Sequence, residues 1–364
     1  MSKGLRRHLG QLIVAGFRGT TVPPELRALA REFDLGGAIL FGRNVEAPAQ
    51  VAELAYGIRA LVQELPPWVC VDQEGGRVAR LTAPFTRWPP MRSLGRSGDA
   101  ALAERFGRAL ATELSAVGVT WNFAPVLDVH TNRENPVIGD RALSERADEV
   151  ATLGTAIITE FQRTGIAACG KHFPGHGDTT VDSHDELPVV DQLPERVREV
   201  ELAPFRAAIG VGVAAIMTAH VVYPALDDSG PATLSSRIVT GLLRGELGFG
   251  GIIASDDLEM GAIAKHRSVD AATVDAIAAG CDMVLLCGGD TACQIGAIEA
   301  LIHAVEDERL PARRVEDALA RVRRTKERFL APRPSWRPPS EAELRDVLGR
   351  AEHQRIAGEM EQFS

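Results

Sequence analysis

Short apolar runs recur along the chain at intervals that leave room for a helix between them. They are LIVAGF (12–17), GGAILF (36–41), WVCVD (68–72), VTWNFAPVLD (119–128), IAACGKH (166–172), VAAIMTAH (213–220), GIIASDD (251–257) and DMVLLCGG (282–289). Between them, segments 49–62, 100–117, 147–163, 194–209 and 291–305 set apolar residues at helical spacing among charged ones. Strand and helix alternating about eight times predict a parallel sheet covered by helices. Eight units predict closure into a single (β/α)8 TIM-type barrel, with a doubly wound open sheet as the rival.

The ends of the runs favour the barrel. Asp72, Asp128, Lys171 with His172, Thr218 with His220, and Ser255-Asp256-Asp257 all fall where an apolar run stops. The starts of the same runs carry few comparable groups. In a closed barrel all strand ends meet at one face, where active sites are built. The barrel is expected to span 1–331. A helical stretch at 315–330 precedes APRPSWRPPS (331–340), whose four prolines predict an extended linker. A last helical stretch, 341–361, is expected to be an arm packed on the barrel or on a neighbouring subunit, so that 332–364 forms a linker and a short helical C-terminal arm.

Composition narrows the class. Hydrophobic residues make up 45% and charged residues 24%, which excludes a disordered or collagen-like chain. Lys+Arg is 40 against Asp+Glu 49, a net charge of −9, and nucleic-acid binding needs a basic surface. The basic amino terminus leads into an apolar run, but Leu12 to Phe17 is short, Gly16 interrupts it and no small-residue cleavage site follows. No run approaches the ~18 residues of a membrane span. The five cysteines lack CxxC spacing, and Cys70, Cys169 and Cys287 sit in apolar runs as small hydrophobes. A cytoplasmic home is expected, with a small-molecule substrate, no nucleic acid or membrane partner, and a monomer or weak dimer.

The densest chemistry is KHFPGHGDTTVDSH (171–184), with three His, two Asp and a Lys in fourteen residues. A metal site lacks paired ligands on a regular element. A Schiff-base Lys171 conflicts with the neighbouring acids, which favour its charged form. Asp182 and His184 are two apart and, on an extended segment, point the same way, so the carboxylate orients an imidazole acid/base. Asp256 closes a buried-strand pattern, where a carboxylate is costly unless it works as nucleophile or ligand. One nucleophilic carboxylate and one acid/base are the minimum machinery of a retaining glycosidase.

KHFPGHGDTTVDSH, together with VDQEGGRVARL (71–81), NPVIGDRALSE (135–145), PATLS (231–235) and SDDLEM (255–260), resembles the ordered motifs of glycoside hydrolase family 3. The resemblance is to its branch of bacterial β-N-acetylglucosaminidases that recycle peptidoglycan. It implies an exo-acting enzyme without metal or nucleotide cofactor. Residue by residue it implies Asp256 as nucleophile, His184 as acid/base with Asp182 as its partner, and Asp72 as the carboxylate gripping sugar hydroxyls. Arg80, Arg141, Lys171 and His172 match the substrate-contacting cations, although a salt bridge holding loops together is the alternative role for both arginines. Ala142-Leu143 departs from the family, which commonly has an aromatic there. Other readings stay open: a β-glucosidase on the same machinery, an N-acetylglucosaminide phosphorylase (a neutral imidazole repels phosphate less than a carboxylate would), or a barrel that binds sugar without cleaving it.

Overall fold

The structure is a computed structural model that describes residues 2–331 and 336–364. Eight strands form, each inside one of the apolar runs except β5, which passes the end of its run by one residue: β1 Ile13–Ala15, β2 Gly37–Leu40, β3 Trp68–Val71, β4 Trp121–Asn122, β5 Ala167–Phe173, β6 Ala215–Thr218, β7 Ile252–Asp257 and β8 Met283–Leu286. All pair in parallel in sequence order, and β1 pairs with β8, so the sheet closes into a barrel. The open sheet is excluded. β4 is the shortest strand although its apolar run is long.

Helices follow every strand. The one at Ala147–Arg163 buries Val150, Leu153, Ile157, Ile158 and Phe161, a stripe at three- and four-residue spacing that faces the barrel. Each such side chain contributes about 1.5–3 kcal/mol when removed from water. The predicted helix at 194–209 is two pieces, Pro194–Glu199 and Ala203–Gly210.

The strand residues split by parity. Ile13, Ala15, Ala38, Leu40, Val69 and Val71 face the surrounding helices. Val14, Ile39, Trp68, Cys70, Trp121, Phe123, Cys169, Met217, Ala254 and Leu285 fill the barrel. Continuing the inward parity by one step past these layers reaches Asp72 just past β3, Lys171 on β5 and Asp256 on β7. The polar strand ends are therefore the top layer of the barrel interior.

The opposite end is stopped. The helix Ala312–Leu330 lays Val322, Phe329 and Leu330 against the interior layer, with the Phe329 and Trp68 rings 6.3 Å apart. Lys326, fully buried beside them, donates to Gln11 Oε1 at 2.7 Å. Burial lowers its pKa well below the usual lysine value.

The linker expected at 331–340 falls partly on residues 332–335, which lie outside the described residues. The arm beyond it packs on the barrel's own helices as two pieces, Glu341–Val347 and Ala351–Glu361. Gly349, at φ +60, turns the chain between them. Its N–H and His353 Nδ1 both bond Glu113 Oε1, at 2.9 and 2.7 Å, and Glu113 also receives the N–H and hydroxyl of Thr86. All five cysteines are free. Among the described residues no helix is long and apolar enough to cross a membrane.

Candidate active site

An open cavity of about 420 Å³ sits at the carboxyl ends of the strands. Asp72, Arg80, Arg141, Lys171 and His172 line it, and so do Asp182, His184 and Asp256. Residues from four separate stretches of the sequence thus meet at one mouth.

Two irregularities in the ladder load the site beyond what alternation allows. On β5, Lys171 pairs with Met217 while Phe173 pairs with Thr218, so an extra residue bulges out. On β7, three steps from Ala254 to Asp257 face two on β8, from Met283 to Leu285. A bulge re-aims its side chains. Lys171 and His172 therefore both reach the cavity, as do Asp256 and Asp257.

At the deep end, Lys171 Nζ lies 2.8 Å from Asp72 Oδ1 and 2.6 Å from Glu74 Oε1. Burial works against the lysine's charge, but Asp72 and Glu74 more than offset it and raise its pKa. That disfavours a nucleophilic amine. Glu74 also takes Arg141 in a two-point pair, Nε to Oε2 at 2.9 Å and Nη2 to Oε1 at 2.8 Å. The loop-holding salt bridge weighed for Arg141 is thus present in a side chain that also lines the cavity. Arg80 keeps a looser contact, 3.9 Å from Asp72 Oδ2. Its guanidinium stands 5.6 Å from the centre of the Phe41 ring, and the Arg43 guanidinium stands 4.5 Å from the same ring.

His172 is held by Asp128, which is fully buried. Its Nδ1 is 2.8 Å from Oδ2, while Oδ1 accepts the backbone N–H groups of His172 and His176. Burial opposes the Asp128 charge, yet His172 and these bonds keep its pKa low. His176 is a loop strut: Nδ1 is 2.8 Å from Thr179 Oγ1 and Nε2 is 2.9 Å from Ser183 Oγ. Burial, with the His172 charge adding, pushes its pKa down to about 4.

Asp182 and His184 meet as expected, with Oδ1 2.7 Å from Nδ1, but the local structure is different. The segment is a turn, not an extended strand, and Asp182 Oδ1 also accepts the His184 N–H at 2.8 Å. A short carboxylate two residues back closes such a turn on its own backbone. Burial raises the Asp182 pKa, and the two His184 bonds more than reverse that. The imidazole is 64% exposed and stands over the cavity.

Asp256 is half-buried at the cavity wall, and the loss of water around it opposes its charge, but His172, His220, the Asp257 N–H and Lys171 hold its pKa below the usual carboxylate value. It is an anion at neutral pH. Asp257 is the opposite case: burial, with Glu259 and Asp256 adding, pushes it up to about 7. Its Oδ1 accepts the N–H groups of Glu259 and Cys287. The strand-end His220 lies behind this pair, Nε2 on Asp257 O at 2.9 Å and Nδ1 on Thr233 Oγ1 at 2.8 Å. Thr233 belongs to the PATLS segment. Glu74, Asp128 and Asp257 join the site without a role that the sequence pattern assigns. Glu74 and Asp257 stand inside the family motifs, and a Lys-His pair beside an arginine calls for buried counter-charges. Among the described residues, no three His, Cys, Asp or Glu side chains are grouped to hold a metal ion.

Residues 4–325 match the family described as glycosyl hydrolase family 3, N-terminal domain. A beta-hexosaminidase of Nitrosomonas eutropha is 44% identical over 285 residues, covering 77% of this chain and 81% of that protein. The structure of a glycoside hydrolase family 3 beta-N-acetylglucosaminidase from Paenibacillus superposes with a TM-score of 0.94 at 41% identity, over 99% of this chain and 68% of that one. NagZ from Neisseria gonorrhoeae, in complex with N-trifluoroacetyl-D-glucosamine, superposes at 0.78 with 31% identity, over 97% of each chain.

Proposed function

The chain belongs to glycosyl hydrolase family 3, and on that premise we propose a retaining exo-β-N-acetylglucosaminidase that removes terminal N-acetylglucosamine from peptidoglycan fragments. The observation that carries the reading is the pairing, on one cavity, of an ionised Asp256 with an imidazole backed by Asp182. One carboxylate and one proton-transfer group flanking a sugar are what a two-step displacement requires.

Asp256 attacks the anomeric carbon while the leaving oxygen takes a proton from His184. With Nδ1–H given to Asp182, Nε2 is the atom that delivers the proton. The leaving group departs and a covalent glycosyl ester on Asp256 remains. Water then attacks the same carbon, giving its proton back to His184 Nε2 and releasing Asp256. The Asp72–Lys171 end accepts and donates to the hydroxyls of the terminal sugar, and Arg80 adds a donor at the wall. Relatives named beta-hexosaminidase and beta-N-acetylglucosaminidase support the N-acetyl sugar over glucose. Free cysteines, four of the five buried, fit a cytoplasmic setting.

The test is turnover of nitrophenyl N-acetylglucosaminide against nitrophenyl glucoside, each with and without phosphate. Release from the N-acetylglucosaminide, independent of phosphate, is expected. Preference for the glucoside, or a glycosyl phosphate as main product, replaces the reading with a β-glucosidase or a phosphorylase.

A further inference from the structure

The loop that carries His184 is held by the segment that follows the Asp256 strand. Beyond Asp257 the chain turns into a short helix, Gly261–Ala264. The Gly261 N–H bonds the carbonyl of His184 at 3.0 Å, and the Ala262 N–H bonds that of Ser183 at 3.2 Å. Lys265 Nζ bonds the carbonyl of Asp185 at 2.6 Å. Three consecutive carbonyls of one loop are thus taken by one turn of another. The contact is close enough to exclude a side chain. A Cβ on Gly261 would stand 2.5 Å from the His184 carbonyl oxygen and 2.7 Å from that of Asp185. A C···O contact is normally about 3.3 Å or more, so the loop would have to retreat by most of an ångström.

We propose that Gly261 is a positioning residue for the acid/base: lacking a Cβ, it lets the turn behind Asp256 seat the His184 loop at its working distance. The two reacting groups are then set by one piece of chain, the strand end and the helix it turns into. The inference rests on the reading of His184 as acid/base and adds how that group is placed. From the other side, Ser183 Oγ meets His176 Nε2 at 2.9 Å, so the loop has a second support and Gly261→Ala shifts it without setting it free.

Two N-acetylglucosaminides test this, one with a strongly activated aryl leaving group and one with a basic alkyl leaving group. Each is assayed with the wild type, Gly261→Ala, His184→Ala and the double variant. A misplacement of about 1 Å costs on the order of 10²-fold. Gly261→Ala is expected to lower kcat on the alkyl glycoside by about that factor, and on the activated one by less than about threefold, since proton donation matters little there. KM stays near the wild-type value, and the double variant is no slower than His184→Ala alone. Equal losses on the two substrates, or losses that multiply in the double variant, overturn the proposal. Should Gly261→Ala not fold, Lys265→Met decides: the same leaving-group split at smaller size supports it, while no loss or an even loss overturns it. If His184→Ala itself shows no split, the acid/base reading has failed and Gly261 falls with it. If His184→Ala shows the split and Gly261→Ala does not, only the positioning is wrong.

Discussion

Lys171 and Glu74 stand in contact at 2.6 Å, both almost wholly out of water, and the same carboxylate holds Arg141 by two bonds. One buried acid therefore sets two of the cations that line the cavity. Removing one partner of a buried pair costs about 3–5 kcal/mol because the other charge is stranded. Glu74→Gln is expected to lower unfolding free energy by that order in urea titration and to raise KM for the N-acetylglucosaminide. An unchanged midpoint with unchanged KM shows that Lys171 and Arg141 are placed by something else.

Two neighbouring carboxyls, Asp256 and Asp257, reach the cavity, and their ionisation separates them. The first is an anion at pH 7, while the second, at about 7, is half protonated and a poorer nucleophile. Asp256→Ala should lower turnover by several orders of magnitude with the fold intact by circular dichroism. Trapping with a fluorinated N-acetylglucosaminide and peptide mass spectrometry should place the label on Asp256. A label on Asp257 or within 178–184 contradicts the assignment.

Asp72 both anchors Lys171 and faces the deep end of the cavity. A charged hydrogen bond contributes about 1.5–3 kcal/mol, so losing two to sugar hydroxyls costs roughly 3–6 kcal/mol in the transition state. Asp72→Asn should reduce kcat/KM by two to four orders of magnitude, on the scale of ~1.4 kcal/mol per tenfold, while products remain monosaccharides. Near-normal activity, or cleavage inside a longer chain, means that the sugar is bound elsewhere.

His176 gives a pH signature. Buried and neutral, it titrates at about 4 in the fold against 6.5 in an unfolded chain. As pH falls from 6.5 toward 4 the unfolded state takes up a proton that the folded state refuses, so stability drops across that window and levels below it. Each tenfold weakening of proton affinity is worth ~1.4 kcal/mol, so the loss approaches roughly 3 kcal/mol. Urea midpoints at pH 7 and pH 4.5 should show it, and His176→Gln should flatten the difference. A slope unchanged in that variant assigns the acid sensitivity to other groups.

The barrel is legible because inward and outward residues alternate in strands whose apolar runs are separated by helix-sized gaps, and the strand-end acids follow from the same count. The bulges are not. Strict alternation sends only one of Lys171 and His172, and one of Asp256 and Asp257, into the cavity, and the extra residue leaves no mark in the hydrophobic pattern. Glu74 escapes because its partners are 67 and 97 positions away, a distance that no local spacing measures. The contact of Asp182 with His184 is expected from an extended segment and arises instead from a turn, since an Asp can reach the N–H two residues on as readily as the ring. At the carboxyl terminus the spacing predicts an unbroken helix, and Gly349 breaks it where the chain bends toward Glu113.

Among the described residues, Phe329 and Leu330 pack beneath Trp68 and stop the barrel at the end away from the cavity. Traffic then has a fixed order: whatever lodges against Asp72 is first in and last out. On the proposed mechanism a leaving group must clear the entrance before water can follow, so the sugar stays held as the ester at the bottom until that water arrives. A competitor that carries a long substituent must trail it outward through the open mouth, where the exposed His184 imidazole stands.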